Sequence, residues 1–306
     1  MTTPGTDWSQ NGRGQRHPVS AWVYNATAPP TAVDVDIESG DIAAVTTAGE
    51  LHLLNADGTC RRRHGIDAGG ALDWADTSIG GVVQVGQKTA AWLDRQGDIQ
   101  WTVECHNRIL DVATSPFGNA VAISFADRHN VVLDAKSQPI GEFTSIRPLR
   151  FLQLTSSRPV VVGSAETGVV SSHTIGGNDR WHEQIWTNVG GLGVNGNGRT
   201  ILLAAFNHGI QRFNNRGRPQ GFYDIGGTAH LVSVSYIGTV IAAATMEDRF
   251  VLIDFDGSVL WQADLPEPLK ALHCGAFGER IVCAFASGRI ECLQWSPWAR
   301  RRPSAD

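Results

Sequence analysis

The stretch Asp254-Phe255-Asp256-Gly257, followed at once by Ser258-Val259-Leu260-Trp261, decides the fold of this chain. A polar tetrapeptide that ends in glycine, between two apolar β-prone runs, is typical of a tight hairpin because glycine takes positive φ angles without strain. Related tetrapeptides recur along the chain, and their hairpin positions are residues 58, 97, 137, 177, 217 and 257. A spacing of 39 or 40 residues that repeats in this way predicts a repeat architecture.

Each repeat has the pattern of four short antiparallel strands joined by turns. In the first repeat, residues 32–37 alternate polar and apolar side chains, 42–46 form an apolar run, and 51–54 lead into the hairpin. Four-stranded sheets repeated at about this period, arranged around an axis, form a β-propeller. The sequence therefore predicts an all-β, seven-bladed propeller, with blades at about 31–66, 70–106, 108–146, 147–186, 187–225, 226–266 and 267–295.

The seventh repeat is one strand short at its C-terminal end, and a strand-like segment is left over near the N-terminus. This segment, 17–25, is in the register of the missing strand, because Pro18 lies 40 residues before Gly58 and Trp22 aligns with Trp261. We expect it to complete the last blade and close the ring, which leaves no blade unsealed. The predicted domain spans 17–296, after a disordered lead at 1–16 and before a basic tail at 297–306.

Aromatic residues mark the same place in several repeats. Four residues after the hairpin position come Trp22, Trp101, Trp181 and Trp261, and Phe143 and Phe222 lie close to the equivalent place in the third and fifth repeats. Large aromatic side chains at one site per blade are suited to fill the wedge between neighbouring sheets.

The pattern Asp-x-x-Gly-x-x-x-Trp, present as Asp94-Gly97-Trp101 and Asp254-Gly257-Trp261, resembles the blade motif of the quinoprotein-like propellers. The WD-repeat family is a near neighbour, although its Gly-His and Trp-Asp dipeptides do not recur here at repeat spacing. The resemblance covers residues 17–295 and implies a propeller fold. Because its motif is structural, it implies a fold more strongly than an activity.

Composition narrows the class of partner. The net charge of -5 argues against general binding of nucleic acid, which depends on many lysines and arginines. The clusters Arg61–Arg63 and Arg300–Arg302 leave nucleic-acid contact as a weaker alternative. Five cysteines without a CxxC motif, and no apolar segment of the kind found in a signal peptide or a membrane span, predict a cytoplasmic protein.

Motifs for catalysis or cofactor binding give no positive prediction. Residues 191–196 match GxGxxG, but an apolar strand-like run at 201–206 follows them, whereas a dinucleotide site requires a helix there. The chain has no GxSxG, no P-loop and no zinc-type spacing of histidines and cysteines. We expect no cofactor, no metal and no enzymatic activity, and the sequence leaves the oligomeric state open.

Three aspartates could face the central channel. Asp34, Asp73 and Asp111 follow their hairpin positions by 16, 15 and 14 residues, which places them on the inner strands of adjacent blades. One interpretation is a site for a cation or an ammonium group. The other is that each carboxylate accepts hydrogen bonds that fix neighbouring structure.

The loops between second and third strands, and those that lead to the next blade, emerge together on one face. This face carries long polar side chains, and such loops on a rigid scaffold are suited to recognition of a protein or peptide. The candidate docking residues are His106, Arg108, Arg128, His129, Glu166, His208, His230, Glu247, Asp248, Arg249, Lys270 and Arg289. The main hypothesis is a non-catalytic interaction scaffold, and the alternative is a sensor or enzyme with a site at the channel mouth.

Overall fold

The computed structural model describes residues 8–156 and 159–295, and it confirms a ring of seven blades with four antiparallel strands each. The described part begins with a 3-10 helix at Trp8–Asn11 and two strands, β1 (Arg13–Gly14) and β2 (Val19–Asn25). The first three blades then follow as β3 (Pro30–Val35), β4 (Ile42–Thr46), β5 (Glu50–Leu54) and β6 (Cys60–Gly65); β7 (Ala68–Trp74), β8 (Gly80–Val85), β9 (Thr89–Asp94) and β10 (Ile99–Glu104); β11 (Ile109–Thr114), β12 (Ala120–Phe125), β13 (His129–Asp134) and β14 (Pro139–Thr144).

The remaining blades repeat the order from the channel outward. They are β15 (Phe151–Leu154), β16 (Val160–Ser164), β17 (Val169–Thr174) and β18 (Asp179–Gln184); β19 (Val189–Val194), β20 (Thr200–Ala205), β21 (Gly209–Asn214) and β22 (Pro219–Tyr223); β23 (Ala229–Val234), β24 (Val240–Thr245), β25 (Arg249–Asp254) and β26 (Val259–Asp264); β27 (Leu269–Cys274), β28 (Arg280–Phe285) and β29 (Arg289–Gln294).

The core lies between the blades. Second strands such as β12 and β20 are buried along their whole length, so they are apolar runs without alternation. Outer strands such as β10 alternate half-buried and exposed residues, because one side of each packs on the next blade. This division of burial explains why the repeat is visible in the sequence.

The predicted ring closure is confirmed. β2 pairs with β29 in antiparallel register, with Trp22 opposite Cys292, and forms the outer strand of the seventh blade. The blade is therefore built from both ends of the propeller, and the outer side of β29 is paired along its length by β2.

The aromatic residues that fill the wedge between neighbouring blades also make a regular hydrogen bond. The indole nitrogens of Trp22, Trp101 and Trp181 donate to hairpin carbonyls of the next blade, at Ala56 (3.0 Å), Ala135 (3.2 Å) and Asn215 (3.0 Å). In the fifth blade Tyr223 has this role through its hydroxyl, which donates to the Phe255 carbonyl at 2.6 Å. The expectation that Phe222 fills this wedge is wrong, since its side chain is exposed.

The predicted disordered lead at 1–16 is corrected for residues 8–16. Trp8 is buried against Phe250, Trp261 and Phe285, and its indole nitrogen donates to Glu291 Oε2 at 2.8 Å. β1 adds to the outer edge of β26 as a fifth strand.

The N-terminal segment packs there because the seventh blade lacks the hairpin that the other blades have. In other blades the hairpin glycine packs on the aromatic ring of the preceding blade, as Gly58 does on Trp22 and Gly217 on Trp181. Between blades six and seven, Gly12 takes this place, because a Cβ on it would lie 2.2 Å from the Trp261 ring. Residues 1–7 and the predicted tail at 297–306, with Arg300–Arg302, lie outside the described residues.

Cys105, Cys274, Cys283 and Cys292 are buried, free thiols, whereas Cys60 is exposed. In the described part of the chain, no helix has the length and apolar character needed to cross a membrane.

Candidate functional site

The first strands of the blades line a central channel with two different ends. The loop face is defined as the rim that carries the loops between second and third strands and those leading to the next blade. The turn face is the opposite rim, which carries the turns between first and second strands and the hairpins. This topology places the predicted docking residues on the loop face.

A wide depression opens at the centre of the loop face. It contains two overlapping cavities of about 900 and about 620 Å³, which share Arg150, Glu166 and Lys270 in their walls. Arg108 and Arg147 line the larger cavity. These four cationic residues, Arg108, Arg147, Arg150 and Lys270, are called the basic mouth.

The basic mouth is short of counter-charge. Nη1 of Arg150 donates to the Leu110 carbonyl at 2.7 Å, and its Nε lies 3.7 Å from Oε1 of Glu166. Arg108, Arg147 and Lys270 are exposed, and within 8–156 and 159–295 no carboxylate forms an ion pair with them. Three of the four cations are therefore free to bind a ligand.

The structure brings only part of the predicted docking set to this mouth. Arg108, Glu166, His230 and Lys270 line its cavities. The others lie further out and bond to near neighbours: His106 to Asp127, His129 to Glu142, Arg249 to the Gly226 carbonyl, Glu247 to the Thr228 amide and Arg289 to buried Glu291. Arg128, His208 and Asp248 make main-chain hydrogen bonds within or beside their loops.

Sequence reasoning missed several residues of the loop face. Arg147 and Arg150 lie in the connection between the third and fourth blades, next to exposed Ile146. Trp186, in the following connection, is 89% exposed, and Met246 is also exposed. The signal was available, because two arginines in a connection of six residues between β14 and β15 is a dense cluster.

The channel narrows below the mouth. Leu192, Val232 and Leu272 line both the 620 Å³ cavity and a smaller chamber of about 140 Å³ towards the turn face. These three side chains are called the apolar waist. The chamber beyond it, called the acidic chamber, is lined by Asp34, Asp73, Asp76 and His273 among others.

The predicted channel aspartates bind the backbone of the next blade. Asp34 accepts from the Trp74 amide at 2.5 Å, Asp73 from Thr114 at 2.6 Å, and Asp111 from Leu152 at 2.7 Å. Gln153 and Ser233 make the same contact to Val194 and Cys274 at 2.7 and 2.9 Å. These side chains tie neighbouring inner strands together, so the structure supports the interpretation that they fix neighbouring structure.

The three aspartates lie at two different levels of the channel. Asp34 and Asp73 come two residues before the turns at Asp36 and Ala75, but Asp111 comes four residues before the equivalent turn at Ser115. Two residues along a strand are about 6.6 Å, so Asp111 lies nearer the basic mouth. The spacing from the hairpins agrees with this, because the turn follows the hairpin position by 18 residues in both the first and the third blade, whereas Asp34 and Asp111 follow it by 16 and 14 residues.

Burial and mutual repulsion shift the titration of these groups. Desolvation, with the charge of Asp34 added, raises the pKa of Asp73 well above its usual range. Burial raises the pKa of Asp76 and that of Asp111 to about 7 each. Burial lowers the pKa of His273, but Oδ1 of Asp34 at 2.7 Å from its Nε2 outweighs this, and the net shift is upward.

Chemistry at the channel is limited by these contacts. Within the described ranges, no group of three or more His, Cys, Asp or Glu side chains is placed to hold a metal ion. The GxGxxG segment at 191–196 forms the end of β19 and a turn before β20, not the start of a helix, as the sequence predicted. A phosphate site of the dinucleotide type therefore does not form there.

A scan against protein-family models and a search of curated proteins both return no match for this chain. The fold and the channel define the class as a seven-bladed β-propeller. The finer resemblance to quinoprotein-like or WD-repeat propellers stays a prediction.

Proposed function

We propose that this propeller is a non-catalytic protein-interaction module that docks a partner through the loop face, centred on the basic mouth. The observation that carries the proposal is the convergence of four cationic side chains on one concave surface, three of them without an ion-pair partner in the described chain. Propellers commonly serve as interaction scaffolds, and this one has a shaped, charged surface on its loops.

Exposed apolar side chains also lie on the loop face. Trp186, Ile146 and Met246 lie on the loop face, and tryptophan and arginine are the residue types enriched at binding hot spots. The turn face also exposes Phe117, Ile237 and Phe277, so exposed apolar area does not distinguish the two faces. The feature that distinguishes the loop face is its concave centre lined by cationic side chains.

The other candidates have weaker support. The carboxylates of the acidic chamber already hold backbone amides, which leaves fewer free lone pairs for a cation. Four cations around a funnel also fall short of the basic stripe that tracks a nucleic-acid backbone.

Charge reversal tests the proposal. Partners captured by the immobilised protein are compared between the triple variant Arg108→Glu, Arg147→Glu and Lys270→Glu and a control variant, Arg199→Glu and Arg216→Glu, whose exposed side chains lie on the turn face. We expect the first variant to lose a partner that the wild type and the control retain. Retention of every wild-type partner by the triple variant would contradict docking at the basic mouth.

A further inference from the structure

One wall of the channel has few side chains. The inner strand of the fifth blade, β19, contributes Gly190 and Gly191 to the mouth cavity and Gly193 to the acidic chamber. These three glycines are called the glycine wall. Gly191 and Gly193 belong to the GxGxxG segment at 191–196, which forms no dinucleotide site, and Gly190 directly precedes it.

Packing explains Gly190 fully and Gly191 in part. A Cβ on Gly190 would lie 2.4 Å from the His230 carbonyl oxygen, so glycine is required there. A Cβ on Gly191 would lie 3.3 Å from the Val232 amide nitrogen, which is a tight contact, and one on Gly193 would lie 3.6 Å from the Val232 carbonyl oxygen, which is an ordinary contact. Neither residue has a positive φ. Glycine weakens a strand interior, and where the fold does not require it, it often marks a close approach of a ligand to the backbone.

The second blade widens the mouth in a similar way. Its inner strand has a register shift between Ala68 and Leu72, and Gly70 there has φ of 117°, which favours glycine. Gly69 and Gly70 line the larger cavity. The mouth is thus open over two blades, and its floor is main chain.

The charges in the funnel favour an anionic occupant. The four cations of the basic mouth face two carboxylates, Glu166 and Asp111. His230 also lines the funnel, and burial, with Lys270 nearby, lowers its pKa, so it adds no positive charge at neutral pH. An occupant with a few negative charges would be complementary, whereas a continuous phosphate backbone would meet both carboxylates.

We propose that the basic mouth takes an extended acidic segment of a partner protein, which enters the funnel and lies against Gly190 and Gly191 above the apolar waist. The inference rests on the proposed function, because it names what the loop face holds. β19 is the inner edge strand of its blade, so main-chain groups on its channel side have no strand partner within the blade. An extended peptide can bond to such an edge while its carboxylates pair with the arginines.

The test uses a fluorescein-labelled peptide of alternating glutamate and glycine as the probe, with binding followed by fluorescence anisotropy at low salt. Gly191→Leu adds a side chain beside His230 and Val232 in the wall of the mouth cavity, whereas Gly193→Leu adds the same side chain two residues further along β19, beside Val234 in the wall of the acidic chamber. We expect Gly191→Leu to weaken binding by about tenfold and Gly193→Leu by less than about twofold. Circular dichroism melting of both variants shows that each is folded.

Three results would overturn the inference. They are failure of the wild type to bind the peptide, equal binding by wild type and Gly191→Leu, and tighter binding of single-stranded RNA that Gly191→Leu also blocks. If Gly191→Leu binds normally while the triple charge reversal still loses its captured partner, the insertion is wrong and docking on the loop face stands.

Discussion

The two ends of the channel both gather charged side chains, but they use them differently. In the acidic chamber, Asp34 and Asp73 each accept the amide hydrogen of an inner strand in the next blade. In the basic mouth, Arg108, Arg147 and Lys270 hold no ion-pair partner among the described residues. The first group holds the fold together, and the second is free to bind.

This difference shows that a cluster of like charges in a channel does not by itself indicate a ligand site. The bonds that each charged group already makes decide between the two roles. Substitution in the acidic chamber should change stability, and substitution in the mouth should change binding.

Trp8→Ala should give the largest loss of stability, although Trp8 lies at neither end of the channel. It removes a buried indole from the junction of blades six and seven and leaves Glu291 without its 2.8 Å donor. We expect the free energy of unfolding to fall by about 3 kcal/mol. Urea unfolding followed by tryptophan fluorescence and by far-UV circular dichroism measures it, and an unchanged midpoint would mean that residues 8–14 contribute little.

Asp34→Ala should lower the free energy of unfolding by less than Trp8→Ala does, but by clearly more than a substitution on the surface. It removes the acceptor for the amides of Val35 and Trp74 and the partner of His273. We expect a loss of about 2 kcal/mol, because buried donors are left unpaired. Asp34→Asn is the control, since its amide oxygen can still accept one of these bonds. If both variants unfold like the wild type, the carboxylate does not tie the blades together.

The stability of Asp76→Asn relative to the wild type should change with pH, because Asp76 is buried in the acidic chamber close to the charge of Asp34. Burial raises the folded-state pKa of Asp76 from 3.8 to about 7, so the folded state favours the protonated form. The stability linked to this proton is present below about pH 4 and is lost as pH rises through 7. Asp76→Asn cannot lose the proton, so we expect it to be more stable than wild type at pH 8, by about 1 kcal/mol, and similar at pH 4.

Thermal melts of both proteins between pH 4 and pH 8 test this sign. The comparison must be the difference between the two proteins, because Asp111 also has a raised pKa and gives a slope of the same sign. A wild type that gains stability relative to Asp76→Asn above pH 7 would contradict the account.

The sequence predicted the blades well because the signals for them are local. Gly257 and Trp261 lie within one hairpin, and their repetition at a fixed spacing follows from the geometry of a sheet. The closing strand was predictable because Trp22 keeps the same register. Trp8 and Gly12 were not, since they replace a missing hairpin from outside the period.

The site was less predictable, because its residues lie in connections between blades and at different levels of the channel, and neither recurs with the repeat. Arg147 and Arg150 reach the mouth from a connection between blades. Asp111 lies two residues further from its turn than Asp34 and Asp73 do, which places it nearer the mouth. Asp76 and His273 join the acidic chamber from different blades, and only the folded ring brings them together.

Stability and binding measured on the same preparations test the central claim most directly. The triple variant Arg108→Glu, Arg147→Glu and Lys270→Glu should unfold within about 0.5 kcal/mol of the wild type, since its side chains are exposed. The same sample should lose the partner that the wild type captures. A clear loss of stability together with full retention of the partner would contradict the claim that the basic mouth serves binding and not the fold.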